Sequence, residues 1–124
     1  MTNAKFRQAK FDRKTGKFIG FHYWGLINGA FIGVDTSTLN PASAVHNSQQ
    51  YTTRNDAHGA ELYDGDIIQF KFRTKTAAFE YTGKIYFDEY MWLAETEGGD
   101  IFSLNRVHGI QLVGNIFENP NLLQ

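Results

Sequence analysis

The sequence predicts an all-β protein: a small barrel over roughly residues 60–118, preceded by an N-terminal β-hairpin extension. Three observations predict it. Apolar and polar residues alternate with period two through the second half of the chain, as in half-buried antiparallel strands. Glycine- and aspartate-bearing turns recur at close spacing. Aromatic residues make up 15% of the chain, with eleven Phe and six Tyr, a composition that suits pleated surfaces better than helices.

The elements follow in order. Lys5 to Phe11 suits a strand, and Asp12-Arg13-Lys14-Thr15-Gly16 is a turn with glycine at its left-handed position. The chain returns through Lys17 to Trp24, and Asn28-Gly29 marks a second tight turn before Ala30 to Val34. Residues 35–48 are polar, small and interrupted by Pro41, which reads as a surface loop with one helical turn begun near the proline. In the second half, Ile68, Phe70 and Phe72 alternate with Gln69, Lys71 and Arg73. Phe79, Tyr81, Gly83, Ile85 and Phe87 then share one phase. Tyr90 to Glu95, the Gly98-Gly99 turn and Ile101 to Leu104 make a further hairpin, and Ile110, Leu112, Gly114 and Ile116 share a face of the last strand. Short strands so joined predict a five-stranded SH3-like barrel, with Gly83 and Gly114 as inward glycines that permit the bends such a barrel requires. The predicted organisation is one domain over residues 1–124: a hairpin unit (1–34), a loop (35–48) and a barrel body (49–124).

Composition excludes several classes. Without cysteine there are no disulfides, thiolate metal sites or thiol nucleophiles. No apolar run approaches the roughly 20 residues of a membrane helix, and the N-terminus lacks a signal-type apolar stretch, so the expected location is cytoplasmic. Net charge is −1, but residues 1–17 carry six basic side chains against Asp12, while the remainder carries six basic and twelve acidic ones. That asymmetry fits either an arm for an acidic partner or a solvated edge hairpin.

The most specific stretch runs from Gln50 to Ile68. Asp56 and Gly59 bracket a turn, Leu62-Tyr63 is a short apolar step, and Asp64-Gly65-Asp66 is a second turn before the strand beginning at Ile67. Gly65 is expected at positive φ, with Asp64 or Asp66 accepting backbone N–H groups across the turn. Tyr51-Thr52, Asp56, Gly59, Leu62-Tyr63 and Asp64-Gly65-Asp66-Ile67 together resemble the signature of the YopX family of bacteriophage and prophage proteins. The Lys5-Phe6-Arg7 start, the Lys14-Thr15-Gly16-Lys17 turn and the tail from Val113 to Leu123 are similar to that family's two ends. Thr53 stands where the family pattern has glycine, which predicts a different local turn, and residues 25–47 align with nothing in the pattern. The resemblance implies a phage or prophage origin, an all-β fold with an SH3-like core, and no established biochemical activity.

No catalytic constellation is legible. His22, His46, His58 and His108 show no spacing that places two ligands on one face, so no metal or other cofactor is expected. The carboxylate pairs Asp64/Asp66 and Asp88/Glu89 sit at strand ends, where such residues satisfy turn backbone. No nucleophile elbow or phosphate-cradling loop is present. The expected role is therefore binding, to a host or phage protein or to a second copy of the chain. The N-terminal hairpin, apolar on both strand faces, is the surface expected to self-associate. The alternative is nucleic acid bound on a basic strand face of Lys71, Arg73 and Lys75, extended by Lys5, Arg7 and Lys10, with Tyr51, Tyr86 and Trp92 as exposed stacking rings.

Overall fold

The computed structural model describes residues 4–37 and 47–123. The helical turn expected near Pro41, and His46, lie outside the described residues. The chain forms two compact units, Met1–Tyr51 and Thr52–Gln124.

The first unit contains β1 (Lys5–Phe11), β2 (Phe18–Ile27), β3 (Ala30–Ile32) and the start of β4 (Ser48–Asn55). They pair in the order β3-β2-β1-β4. The first turn closes as its sequence predicts: Asp12 Oδ1 accepts the N–H groups of Lys14 and Thr15 at 2.8 and 3.0 Å, and Gly16 takes φ 72°. Those two N–H groups, that of Thr15 first, hold the Asp12 carboxyl below the usual aspartate range. The β1–β2 ladder slips between Lys10 and Phe11, which leaves Ile19 without a partner opposite. The Asn28-Gly29 turn has positive φ at both residues, 51° and 81°, the twist a two-residue hairpin prefers. Phe6 stacks on Trp24 with centroids 4.3 Å apart. On the other strand face Phe18, Phe21 and Tyr23 run in edge and tilted contact. The hairpin is aromatic on both faces, as the sequence indicates.

The second unit contains β5 (Glu61–Tyr63), β6 (Asp66–Arg73), β7 (Ala78–Asp88), β8 (Met91–Thr96), β9 (Ile101–Ser103), a 3₁₀ turn (Leu104–Arg106) and β10 (His108–Asn115). An antiparallel sheet runs in the order β10-β6-β7-β8-β9, with β10 and β9 at its two ends. Its core is Leu62, Ile68, Phe70, Ile85, Ala94, Leu104, Val107 and Ile110. Each large member contributes about 1.5–3 kcal/mol relative to an exposed side chain. Phe70, Tyr81 and Phe102 contact one another at centroid distances of 4.7 to 5.8 Å, so much of the aromatic excess is spent here. Period-two alternation names the buried face of β6 correctly. On β7 it overshoots: Phe79 and Phe87, at the strand ends, are exposed.

The Asp64-Gly65-Asp66 turn is a structural node. Gly65 takes φ 85°, its N–H donates to Ile85 O at 2.9 Å, and its carbonyl accepts Ile116 N–H at 3.0 Å. Buried Asp66 accepts the Tyr63 N–H at 2.8 Å. A Cβ on Gly83 would lie 3.0 Å from the Glu95 carbonyl oxygen, so the close approach expected there is real. Gly114 sits where the β10–β6 ladder slips, against the Asn119 side chain. The tail is organised by Asn115, whose Oδ1 accepts the N–H groups of Phe117 and Glu118. One element escapes the sequence reading. The β4 strand is mostly polar and shows no clean alternation, and pairing with β1 over Ser48 to Gln50 and with β5 makes it a strand. Among the described residues, no helix is long and apolar enough to cross a membrane.

Candidate functional site

Lys5, Arg7 and Lys10, the candidate basic residues of the N-terminal unit, each have a local partner. Arg7 is 4% exposed, donates from Nε to Gln49 Oε1 at 2.7 Å, and lies 4.0 Å above the Phe21 ring. It is a core residue of its unit, which corrects the expectation of a surface cation. Lys5 Nζ lies 4.9 Å from the Tyr51 centroid, and Lys10 pairs with Asp35 at 3.2 Å. The same β1 strand holds the segment after β3: Gln8 exchanges two hydrogen bonds with the Asp35 backbone, at 2.9 and 3.0 Å. The Ser37 backbone and hydroxyl, with Lys10, pull the Asp35 carboxyl down to about 2.

Lys71, Arg73 and Lys75 are exposed, but Lys71 stands opposite Glu80 in register, so a carboxylate interrupts the basic row. The expected stacking rings are also reassigned. Tyr51 is buried, because its position on β4 faces inward. Trp92 is half-buried, edge-on to Phe87 at 5.0 Å, and Tyr86 is half-buried as well. Burial, with the charges of Glu95 and Asp88, pushes the Tyr86 phenol above its ordinary pKa. The ring that is fully open is Tyr90, 96% exposed.

Tyr90 borders a groove of about 240 Å³ lined by Thr53, Arg54, Met91, Trp92 and Asn105 among others. Backbone strain flanks it. The turn joining β7 to β8 is Glu89-Tyr90, with φ 50° and 70°, and on the opposite wall Thr53 has φ 68°. Such values are routine for glycine or asparagine and costly for a β-branched side chain. Thr52 pins the bend, its Oγ1 accepting the Arg54 N–H at 3.1 Å. From Arg54, Nη1 donates to the Leu104 carbonyl and, at 3.4 Å, to Asn105 Oδ1. An adjoining groove of about 270 Å³ is also lined by Arg54, with Asp56 and His108. His108 Nε2 is buried and without a hydrogen-bond partner. Among the described residues, no three His, Asp or Glu side chains gather as metal ligands do. Neither Asp64 nor Asp88 lines these grooves or a third one beside Lys71 and Glu80.

The turn after β4 shows what the specific stretch of sequence does. Asp56 Oδ1 accepts the N–H groups of His58 and Ala60 at 2.8 and 2.9 Å, and Oδ2 accepts that of Leu112 on β10 at 2.9 Å. Gly59 closes the turn at φ 90°. Motif spacing is thus set by one carboxylate that closes a local turn and ties it to a strand more than fifty residues on. The family described as YopX protein matches residues 8–124.

The chain belongs to the YopX family. No curated protein matches it. In this YopX chain Thr53 takes φ 68°, a conformation that glycine adopts readily, so its β-branched side chain strains the bend. Thr53→Gly is therefore expected to stabilise the protein. Relief of about 1–2 kcal/mol of left-handed strain outweighs the about 0.5–1 kcal/mol entropic cost of glycine. Urea unfolding checks this by an upward shift in midpoint at unchanged slope. No motif in the sequence singles out Arg54, Tyr90 or Asn105. Only the tight spacing between the alternating segments on either side of Glu89-Tyr90 hinted at a two-residue turn there, and it lacks the Asn-Gly signature.

Proposed function

We propose that this YopX-family protein is a non-enzymatic phage or prophage accessory protein that acts in the bacterial cytoplasm by binding protein, in the first place a second copy of itself. The observation that supports this best is β3. It is an end strand of its sheet, all three of its residues are exposed, and Phe31 is 71% exposed. Phe31 stands opposite exposed Leu26, and Ile32 beside it is exposed too. Edge strands of monomeric proteins carry lysine, proline or bulges that block further pairing. Residues 30–34, Ala-Phe-Ile-Gly-Val, carry no charge and no proline. Two copies related by a two-fold axis can add strand to strand there, with Phe31 meeting its own mate. The order β10-β6-β7-β8-β9, with a 3₁₀ turn before the returning strand, supports an SH3-like reading of the second unit, a scaffold suited to binding.

Sedimentation velocity across a range of concentrations tests the reading. The native chain is expected to sediment at a multiple of 14.1 kDa, and Phe31→Lys as a monomer of unchanged thermal stability. A native protein that stays monomeric at the highest concentration contradicts it. Nucleic-acid binding through exposed Lys71, Arg73 and Lys75 is the second reading. Salt-sensitive retardation of DNA, lost in Lys71→Glu/Arg73→Glu, would favour it.

A further inference from the structure

We propose that the groove between the Thr53 bend and the Glu89-Tyr90 turn binds an extended peptide that carries a carboxylate beside a large apolar side chain. The site lies wholly within the second unit and does not rest on self-association through β3.

Arg54 sets the polar half of the specificity. It is half-buried, and its two protein hydrogen bonds both leave from Nη1, to the Leu104 carbonyl and Asn105 Oδ1. No carboxylate pairs with it among the described residues. A guanidinium has five N–H donors, so its Nε and Nη2 edge is left for another acceptor. A partly desolvated cation without a counter-charge is unfavourable, and a carboxylate matches the planar fork with two parallel bonds. The two bonds already made hold the guanidinium in place, which reduces the entropy lost when a ligand arrives.

The apolar half comes from Tyr90, Met91 and Trp92. Met91 is exposed, and a methionine beside an aromatic ring makes an adaptable apolar surface. Tyr90 contributes almost no buried area to the fold, yet it occupies a turn position that disfavours it. Four non-glycine residues have positive φ among those described: Asn28, Thr53, Glu89 and Tyr90. Asn28 sits in an ordinary Asn-Gly turn, whereas Thr53 and Tyr90 line this one groove and Glu89 precedes Tyr90 in its turn. Strain concentrated in this way marks sites where geometry serves binding rather than stability. His108, which with Arg54 lines the adjoining groove, has a buried Nε2 without a hydrogen-bond partner.

Charge selects the class of partner. Arg54 is the single cation among the lining residues, and Asp88 and Glu89 stand at the neighbouring turn. That field accepts one carboxylate and opposes a polyphosphate chain. The partner is a peptide segment with one acidic group and one large apolar anchor.

The test uses the full chain, immobilised, to select from phage-displayed random octapeptides. Enriched sequences are then synthesised with a fluorescein label and titrated by polarisation. Enriched peptides are expected to carry Asp or Glu within two residues of Leu, Phe or Trp. Arg54→Gln should raise Kd at least tenfold, as should changing the acidic peptide residue to its amide. Arg54→Gln also removes structural hydrogen bonds, so Tyr90→Asn supplies the second variant. Asparagine tolerates the turn conformation, the side chain is exposed, and binding should again fall severalfold in a folded protein. Peptide should shift the amide resonances of Thr53 and Tyr90 and the Trp92 indole. The proposal is overturned if nothing is enriched, or if enriched peptides lack acidic residues. It is equally overturned if they bind both variants as well as the native chain, or if a single-stranded oligonucleotide displaces them at low salt. A protein that proves monomeric leaves every one of these outcomes readable.

Discussion

Gly25→Ala is expected to cost about 2–6 kcal/mol and to disrupt the outer strands of the first unit. Two independent effects act at this residue. Gly25 lies at φ 102°, where a side chain costs about 1–3 kcal/mol, and it is itself fixed by pairing to Lys5 on β1 and Ile32 on β3. A Cβ built there would also stand 2.0 Å from the Ala4 carbonyl oxygen, which accepts the Leu26 N–H at 2.8 Å. That oxygen belongs to backbone and cannot swing aside, so the strand must shift, and overpacking of this kind adds about 1–3 kcal/mol. Gly29→Ala is the control. Gly29 also has positive φ, 81°, but no atom lies within 4 Å of its missing Cβ. Only the conformational cost of about 1–2 kcal/mol applies to it. Thermal unfolding followed by circular dichroism should show Gly25→Ala melting roughly 10 °C or more below the native chain. Gly29→Ala should fall by only a few degrees. Equal losses in the two variants would show that contact with Ala4 carries no weight.

Asp56→Ala is expected to cost about 2–4 kcal/mol, because three N–H groups lose a charged acceptor at once and hydrogen bonds to charge are worth about 1.5–3 kcal/mol each without being additive. The N–H of Leu112 matters most, since it sits on β10 while those of His58 and Ala60 lie in the local turn. Loss should therefore appear as weakened amide protection on β10 as well as in the turn. The same carboxylate gives a pH dependence. Burial alone would push Asp56 up, but the N–H groups of Leu112, Ala60 and His58, with the charge of His58, outweigh it and leave the carboxyl below its ordinary value of 3.8. A folded carboxyl that is the stronger acid stabilises fully above the unfolded value and loses that contribution as pH falls through the folded one. Asp12 and Asp35 are shifted the same way, Asp35 to about 2. Stability is expected to hold from neutrality down to about pH 4 and to decline towards pH 2. Asp56→Asn should flatten part of that decline. An unchanged pH profile in Asp56→Asn would remove Asp56 from the account.

The primary sequence determined the elements that rest on local chemistry. The Asp12 and Asn28-Gly29 turns, the inward face of Ile68 and Phe70, and the positive φ of Gly65 follow from φ preferences and a period of two. Those preferences act over a few residues, so they can be read from neighbours alone. Family membership was legible for the same reason, since the signature from Gln50 to Ile68 encodes two turns whose side chains satisfy nearby backbone. Tertiary structure decided the rest. Polar β4 became a strand because β1 and β5 offered ladders, and Arg7 went from expected surface cation to buried partner of Gln49 and Phe21. Tyr51 went inside, while Thr53, Arg54, Tyr90 and Asn105 came together from three distant segments. These outcomes depend on which long-range partner satisfies a hydrogen bond or covers a ring. No local periodicity specifies that partner, because its free energy arises only once the chain has closed on itself.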